Sequence, residues 1–524
     1  MTRWVMVADL ERCVGCQTCT AACRHSNATS PAVQWRRVID VEAGTFPDVT
    51  RTFVPVGCQH CADPPCMHVC PTGATGRRAD GIVTIDYSVC IGCAYCEVAC
   101  PYQARFLVHE PHYAYDAAMK NEVERAEYDR IGVAQKCTFC SDRIDFGLEN
   151  GLVPGADPRA TPACVNACIA DALQFGDLDD PNSNVSRLLR EHRSFRMHAE
   201  LGTEPGFHYL YGHGPETAGD DPTPIGYSDG GHLRARAAEP ALQQQWDWKA
   251  AANFMCGGLG SGLFVVTAVA DLRYEGFDPL GWLALGIIAF GLSVLLLKIG
   301  KPLRFINVLR QPRRSWMARE AWIAGGMFPL AAFGLWTDSS RVVMAAALLA
   351  LGFLVSQAII IYAAKGIPAW RNALIVPLVV ATGLTEGTGL FLIGAAQSSA
   401  LAVAAAGMGI LVLLRGAFWH AYLAALRKEG APSRALLELQ AFNPWLLIGG
   451  MVLPLVLITA GYVVPQAAVA FDTVAGLCAA GAGAAFKFIL VTRAGFNQGF
   501  ALARTPVRGF GTAGAGVKPG WSHR

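Results

Sequence analysis

Cysteine spacing is the feature that most restricts what this chain can fold into. Of its 18 cysteines, sixteen fall between Cys13 and Cys168, within the first third of a 524-residue sequence. Such a density indicates disulfides, zinc sites or iron–sulfur clusters. Disulfides need an oxidising compartment, and the first residues show neither a signal peptide nor a twin-arginine pair. Zinc sites commonly use paired C-x2-C units, so the spacing has to separate zinc from iron–sulfur clusters.

The sixteen cysteines form four groups of four. Groups one and three have the spacing C-x2-C-x2-C-x3-C of bacterial ferredoxins, in which three cysteines bind one cluster and the fourth binds a neighbouring cluster. Group two has a longer second spacer, and group four has a long insertion between its two pairs. The groups are Cys13, Cys16, Cys19 and Cys23; Cys58, Cys61, Cys66 and Cys70; Cys90, Cys93, Cys96 and Cys100; and Cys137, Cys140, Cys164 and Cys168. Four thiolates for each of four cubes leave none over, so the spacing predicts four [4Fe–4S] clusters rather than zinc.

With these four groups, residues 1 to 190 resemble the four-cluster ferredoxin subunit of the molybdopterin oxidoreductases. That family includes subunits of DMSO, polysulfide, tetrathionate and nitrate reductases, sulfite dehydrogenase and phenylacetyl-CoA:acceptor oxidoreductase. The resemblance implies that group one shares its clusters with group four, and group two with group three. The implied ligand sets are Cys13, Cys16, Cys19 and Cys168 for cluster 1; Cys23, Cys137, Cys140 and Cys164 for cluster 2; Cys58, Cys61, Cys66 and Cys100 for cluster 3; and Cys70, Cys90, Cys93 and Cys96 for cluster 4.

Two details of these groups bear on the clusters themselves. Some members of the family replace a group-three cysteine with Trp and hold a three-iron cluster, whereas this chain has Cys93 there, which favours four cubanes. Lys136 sits beside Cys137 and could raise a cluster potential by its charge, although a solvated lysine is the simpler interpretation.

After Trp248 the sequence becomes strongly apolar. Eight segments approach the roughly 20 residues that a bilayer requires, and they contain few charges, which makes buried soluble helices a poor alternative. The predicted spans are 251–270, 279–297, 321–337, 342–363, 373–395, 399–415, 445–464 and 471–492. We therefore predict an α+β protein: a tandem bacterial-ferredoxin-like domain at 1–190, an irregular linker at 191–247, an all-α bundle of eight transmembrane helices at 248–495, and a tail at 496–524.

The distribution of basic residues predicts the orientation of this bundle. Lysine and arginine concentrate between spans two and three, four and five, and six and seven, and after span eight. The positive-inside rule therefore predicts an inner-membrane, multi-pass protein whose ferredoxin domain and both termini are cytoplasmic, which agrees with the absence of an export signal. A net charge of only +2 argues against nucleic acid as a partner, and membrane lipid is the expected surroundings.

The segment between spans two and three resembles the corresponding loop of the DMSO reductase membrane anchor. The resemblance implies menaquinol binding, since a His and a Glu of that loop are implicated in it. In this chain Lys298 replaces the His, whereas Glu320 matches the Glu. The residues predicted to form a quinone site here are Lys298, Arg304, Asn307, Arg319 and Glu320. A salt bridge with helix capping is the alternative interpretation of Arg319 and Glu320.

Two further observations concern the membrane half. Glu386 lies within span five, where a carboxylate is costly and indicates function. It is predicted to line the quinone pocket, to relay protons or to pair with Lys487, and a structural buried pair stays open. The membrane half has only His420 and His523, so no haem with two histidine ligands is expected.

Together these features predict an electron-transfer and membrane-anchor subunit. It would pass electrons between a separate molybdopterin-containing catalytic subunit and ubiquinone or menaquinone, in an enzyme of the sulfite dehydrogenase or phenylacetyl-CoA:acceptor oxidoreductase type. No catalytic molybdopterin domain fits in the sequence. Four alternatives stay open: a DMSO or polysulfide reductase-type subunit, a hydrogenase electron-transfer module, a ferredoxin-coupled proton pump or transporter, and an anchor that never binds quinone.

Overall fold

The structure is a computed structural model that describes residues 2–31, 33–45, 47–115, 117–213, 238–274, 276–395, 400–506, 517–518 and 520. The chain divides into two compact units. The first comprises Met1–Ala241 together with Asn497–His523, and the second is Leu242–Phe496.

The first unit combines short strands with short helices. Its strands are β1 Trp4–Asp9, β2 Arg36–Thr45, β3 Asp48–Gly57, β4 Thr75–Arg77, β5 Val83–Ile85, β6 Phe106–Leu107, β7 Ala134–Gln135, β8 Leu173–Asp177, β9 His192–Phe195 and β10 Phe207–His213. Its helices are α1 Thr18–Asn27, α2 Pro65–His68, α3 Tyr95–Val98, α4 Lys120–Arg125, α5 Ser141–Glu149, α6 Ala163–Asn166 and α7 Asn184–Glu191, with 3-10 turns at Tyr128–Arg130 and Ala199–Leu201.

A four-stranded sheet in the order β8-β1-β10-β9 organises this unit, and three two-stranded antiparallel sheets (β2–β3, β4–β5 and β6–β7) complete it. Strand β1 pairs with β10 in parallel and with β8 antiparallel. Both faces of β1 are buried, because Met6 packs into the main core while Val5 and Val7 pack with Val185 of α7. Side chains of a strand alternate between its two faces, and both faces of β1 are buried. This explains why the apolar run in β1 is uninterrupted.

The structure differs from the predicted linker at 191–247 and tail at 496–524. Strands β9 and β10 fall within the linker, and Phe207 pairs with Met6 of β1. Beyond the second unit the chain returns to the first, where Leu502 bridges to Val517. Residues 214–237 of the predicted linker lie outside the described residues, as does most of the tail after residue 506. Pairing over two hundred residues leaves no local sequence pattern, which is why a region rich in turn residues concealed a strand.

The second unit is helical. Its helices are α8 Trp248–Asp271, α9 Asp278–Leu296, α10 Trp316–Trp336, α11 Ser340–Ala363, α12 Ile375–Gly394, α13 Leu401–Lys428, α14 Ser433–Pro444, α15 Leu453–Val463 and α16 Ala468–Thr492. A π-helix at Trp445–Val452 joins α14 to α15, and 3-10 turns occur at Pro302–Arg310 and Pro465–Ala467.

Seven helices in the described part of the chain are long and apolar enough to cross a membrane, and they correspond to seven of the eight predicted spans. They are 248–271, 278–296, 340–363, 375–394, 401–428, 433–463 and 465–492. The span predicted at 321–337 is α10, whose 21 residues reach across the roughly 30 Å of a bilayer core. It is not one of the seven, and its first turns carry Arg319 and Glu320. The predicted α+β class is confirmed. Helix α10, the eighth predicted span, differs from the other seven in being less apolar.

Glycines let the central helices of this unit approach closely. A Cβ on Gly387 of α12 would lie 2.0 Å from the backbone carbon of Gly262 in α8. On its other side α12 meets α16, where a Cβ on Gly389 would lie 2.5 Å from the carbonyl oxygen of Gly476. Small residues at such crossings are typical of membrane helix pairs. Helix α12 therefore holds Glu386 between two neighbours that leave little room to move.

Candidate iron–sulfur and quinone sites

The loops of groups one and three have matching backbones. Gly15 and Gly92 occupy equivalent positions and have φ angles of 72° and 71°, and Gln17 and Ala94, two residues further on, have φ angles of 62° and 60°. Left-handed conformations cost energy at Gln17 and Ala94, which are not glycine. The same costly pair of turns in both loops shows that one backbone template presents the cysteines of both groups.

Helices α1 and α6 bring groups one and four together. Helix α1 carries Cys19 and Cys23, α6 carries Cys164, and the two helices pack against each other. The thiol of Cys19 interacts electrostatically with those of Cys13, Cys164 and Cys168. The thiol of Cys23 interacts with those of Cys137 and Cys140, and also with that of Cys164. The two cysteines of α1 therefore share Cys164 as a neighbour and otherwise face different thiols.

Groups two and three are interleaved in the same manner. A small cavity is bounded by the implied ligands of cluster 3, together with Pro101, Tyr102 and Arg105; these ligands are Cys58, Cys61, Cys66 and Cys100. The thiols of Cys93 and Cys96 interact with those of Cys70 and Cys90. Apart from Cys16 of cluster 1, the donors of each implied set thus lie near one another, and four thiols around one cavity are the donor set that a cubane cluster requires.

The state of the cysteines agrees with a role as ligands. All 18 are described, none forms a disulfide, and among the sixteen only Cys16 is exposed. The described residues contain no set of three or more His, Cys, Asp or Glu side chains arranged around a single metal ion. A cubane is itself several ångströms across and needs its thiolates spread further apart. Burial raises the pKa of the Cys137 thiol to about 12, so a ligand role at that site requires compensating positive charge.

Buried cations supply such charge. Arg36, Arg105 and Lys136 are at most 3% exposed. Lys136 is therefore not the solvated lysine that the sequence favoured: its Nζ donates to the carbonyl oxygen of Cys137 at 2.7 Å and to that of Val83. Arg36 and Arg105 were not predicted, because arginine burial depends on the packing of distant segments and leaves no local pattern.

The basic residues predicted for the quinone site make several separate contacts. The Nζ of Lys298 lies 3.5 Å from the Oδ1 of Asp247, which also caps the start of α8. Arg319 donates from its Nε to the carbonyl oxygen of Pro312 at 2.7 Å, and its guanidinium lies over the ring of Trp316. Arg319 therefore holds the loop that precedes α10. Among the described residues its contacts fit the capping part of the alternative interpretation and include no salt bridge to Glu320. Arg304 and Asn307 are half-buried in the 3-10 helix Pro302–Arg310.

Glu320 lies in the first turns of α10 and is 4% exposed. Its carboxylate is hydrogen-bonded by the side chain of Gln357 from α11, while its Oε1 has no partner among the residues that the structure describes. Gln357 also donates to the backbone oxygen of Asn253 in α8 at 3.4 Å. Glu320 is thus held by a buried amide and keeps one oxygen free to bind a ligand. Gln357 was missed by the sequence reasoning, although a polar residue inside an apolar span is a usable signal.

Glu386 has a different environment. Its Oε2 lies 2.5 Å from the Nζ of Lys487 in α16, and both side chains are at most 1% exposed. Arg415 of α13, also buried and also missed, contributes positive charge to Glu386 and donates to the carbonyl oxygens of Ala479 and Gly450. Of the roles left open for Glu386, the structure contains the pairing with Lys487.

Known proteins are similar to the cysteine-rich part of this chain. A family model described as a 4Fe-4S dicluster domain matches residues 49–126, which include groups two and three. The chain is 42% identical over 224 residues to a selenate reductase subunit of Mesobacillus selenatarsenatis, covering 40% of this chain and 72% of that protein. It is 37% identical over 241 residues to an arsenate respiratory reductase iron–sulfur subunit of Shewanella, covering 41% and 98%. It is 39% identical over 228 residues to a sulfite dehydrogenase subunit of Allochromatium vinosum, covering 40% and 83%.

Proposed function

This chain belongs to the family of iron–sulfur electron-transfer subunits of molybdopterin oxidoreductases, and from this premise we propose that it also connects such an enzyme to the quinone pool. A separate catalytic subunit would hold the molybdopterin and the substrate site. Electrons would cross four [4Fe–4S] clusters in the first unit and reach quinone at the second. The observation that carries the proposal is that one chain contains both the buried thiol sets and seven apolar helices.

For the clusters we propose the four ligand sets given above. Their support is the interleaving of thiols from groups one and four, and from groups two and three. When bound, each cluster supplies a one-electron carrier. The chain itself contributes the thiolates, excludes water by burial, and exposes only Cys16 at one end. Because Val14 and Ile169 beside cluster 1 are 56% and 72% exposed, we propose that the catalytic subunit docks there.

For quinone we propose a site at Glu320. A quinone gains two electrons and two protons on reduction, so its site needs a hydrogen-bonding group that can also hand over a proton. Glu320 is buried in an apolar helix, has one oxygen without a partner in the described part of the chain, and is oriented by Gln357. Lys298, Arg304 and Asn307, on the segment leading to α10, are proposed to line the approach. The close pairing of Glu386 with Lys487 favours a structural role for Glu386.

We propose that the first unit and both termini lie in the cytoplasm, at the inner membrane, as the basic loops indicate. A cytoplasmic substrate site favours oxidation that feeds electrons to quinone, as in an enzyme of the sulfite dehydrogenase or phenylacetyl-CoA:acceptor oxidoreductase type. A phosphatase reporter fused after Arg524 should be inactive, since that enzyme folds only after export. Activity from this fusion would reverse the proposed orientation.

One experiment tests the electron path. The protein is purified from membranes with its native partner, iron and molybdenum are measured, and chemically reduced clusters are mixed with a soluble quinone while their spectra are followed. About 16 iron atoms per chain, molybdenum in the partner, and reoxidation by quinone are expected. About eight iron atoms, or clusters that quinone does not reoxidise, would contradict the proposal.

A further inference from the structure

Three buried cations of the first unit lack the partner that a buried charge normally has. Arg36 is 1% exposed, Arg105 is 3% exposed and Lys136 is 0% exposed. In the part of the chain that the structure describes, none of the three forms an ion pair with a carboxylate. An isolated buried charge is strongly unfavourable, so a negative group must lie near each of them.

Arg36 begins β2 and points among thiols of two proposed clusters. Its charge acts on Cys19 of cluster 1 and on Cys23, Cys137 and Cys164 of cluster 2. Among the described residues, its side chain forms one hydrogen bond, to the sulfur of Met6 at 3.0 Å. Its Nε and Nη1 are buried and have no hydrogen-bond partner in that part of the chain. Arg36 therefore keeps two donors for groups that lie between clusters 1 and 2.

Lys136 has the same relation to clusters 2 and 3. Its charge acts on Cys137 of cluster 2 and on Cys58 and Cys66 of cluster 3. The thiols of Cys137 and Cys58 also interact with each other, so these two sets are neighbours. Hydrogen bonds to the carbonyl oxygens of Val83 and Cys137 fix the ammonium in position.

Arg105 has the same relation to clusters 3 and 4. Its Nη2 donates to the sulfur of Cys66 at 2.9 Å, and its Nη1 donates to the hydroxyl of Thr75 at 3.0 Å. Its charge also acts on Cys96 of cluster 4. Three cations thus stand at three junctions, and each faces thiols of the two sets on either side.

We propose that Arg36, Lys136 and Arg105 are junction cations, each of which raises the reduction potentials of the two clusters flanking it. A cluster with four thiolates is an anion, and accepting one electron from its neighbour makes it one charge more negative without forming or breaking a bond. A fixed cation stabilises the reduced form of both neighbours. Because each cation is shared by two clusters, it raises both reduction potentials together. The difference between the two potentials therefore stays nearly unchanged.

The test removes one cation at a time from the full-length protein and measures every cluster potential by EPR-monitored titration. The variants are Arg36→Met, Lys136→Met and Arg105→Met, and Cys→Ser variants of one ligand per cluster assign the signals. We expect the equilibrium constant for reduction to fall at least tenfold, about 59 mV for a one-electron couple, at the two flanking clusters only. Arg36→Met shifts clusters 1 and 2, Lys136→Met shifts 2 and 3, and Arg105→Met shifts 3 and 4.

Arg51→Met is the matched control. Arg51 belongs to the same hairpin as Arg36 and carries the same charge, but it is exposed and paired with Asp40. Its removal should leave all four potentials within threefold in equilibrium constant. Equal shifts at all clusters, or no shift in a junction variant with full iron content, would overturn the proposal.

If a junction variant loses iron, the variant that conserves the charge at the same position decides between a role of the charge and a role of the side-chain shape. Arg36→Lys, Arg105→Lys and Lys136→Arg should retain iron and near-native potentials, whereas iron loss in these variants as well would assign the role to side-chain shape and refute the proposal. The inference rests on the proposed four-cluster assignment, which the iron content and signal count of the unaltered protein test separately. Potentials also report on the cations whether or not quinone is the acceptor.

Discussion

The Nζ of Lys487 in α16 lies 2.5 Å from the Oε2 of Glu386 in α12, and neither side chain reaches the surface of the second unit. A charge in such a place is tolerated because its partner is present, so removing one partner is costlier than removing both. Lys487→Met should lower the stability of the detergent-purified protein by about 3–5 kcal/mol. Glu386→Gln combined with Lys487→Met should recover most of that loss.

Thermal unfolding followed by fluorescence measures the stability of the single and the double variant. Val474→Ala, at a surface-exposed position of the same helix, should change stability by much less. If Lys487→Met alone were as stable as the unaltered protein, Glu386 would be neutral in the folded state and the pair would not be ionic.

Gly387→Ala should disrupt the packing of α12 on α8. Its Cβ would lie 2.0 Å from the backbone carbon of Gly262 and 2.1 Å from the backbone nitrogen of Leu263, and backbone atoms cannot rotate away. Overpacking of this kind costs about 1–3 kcal/mol or more. Gly286→Ala in α9 is the control, since nothing lies within 4 Å of its added methyl. Thermal unfolding of both variants checks the difference, and equal unfolding temperatures would show that the helices can separate freely.

Glu320→Gln should slow quinone reduction about 100-fold, because general acid–base groups typically contribute factors of 10² to 10⁴. Iron content and partner binding should be unchanged, since Gln has the shape of Glu. Asp338→Asn is the control: Asp338 lies just beyond α10, is exposed, and has a left-handed φ of 51° that Asn accepts. Stopped-flow reoxidation of reduced clusters measures the rate. Equal rates in both variants would remove Glu320 from the quinone site.

Cys16→Ser should abolish the signal of cluster 1 while the other three signals persist. Serine is a poor ligand for iron in such clusters, and Cys16 is the one exposed thiol of the sixteen. The iron content should fall from about 16 toward about 12 atoms per chain. Cys256→Ser, outside the four groups, should lose no iron. Loss of another cluster's signal while that of cluster 1 persists would mean that Cys16 serves a different set from the one proposed.

The sequence predicted what is encoded locally. Ferredoxin spacing indicates how short loops present thiols, and seven spans follow from apolar runs of sufficient length. Arg36 escaped prediction because its burial requires β2, α1 and α6 to meet around it, which no window of sequence contains. Strand β10 escaped because its partner β1 is about two hundred residues away, and Gln357 because one amide in span four gives no hint of its contact with Glu320.

Because Asn497–His523 belongs to the first unit, the chain's connectivity determines the order in which the two units are completed during synthesis. Leu502 and Val517 become available only after the ribosome has made the 255 residues of Leu242–Phe496, which at 5–20 residues per second takes about 13–51 s. Membrane insertion of the helices therefore precedes completion of the iron–sulfur unit. Until then the nascent first unit lacks these residues, so it is completed only after the second unit has been made.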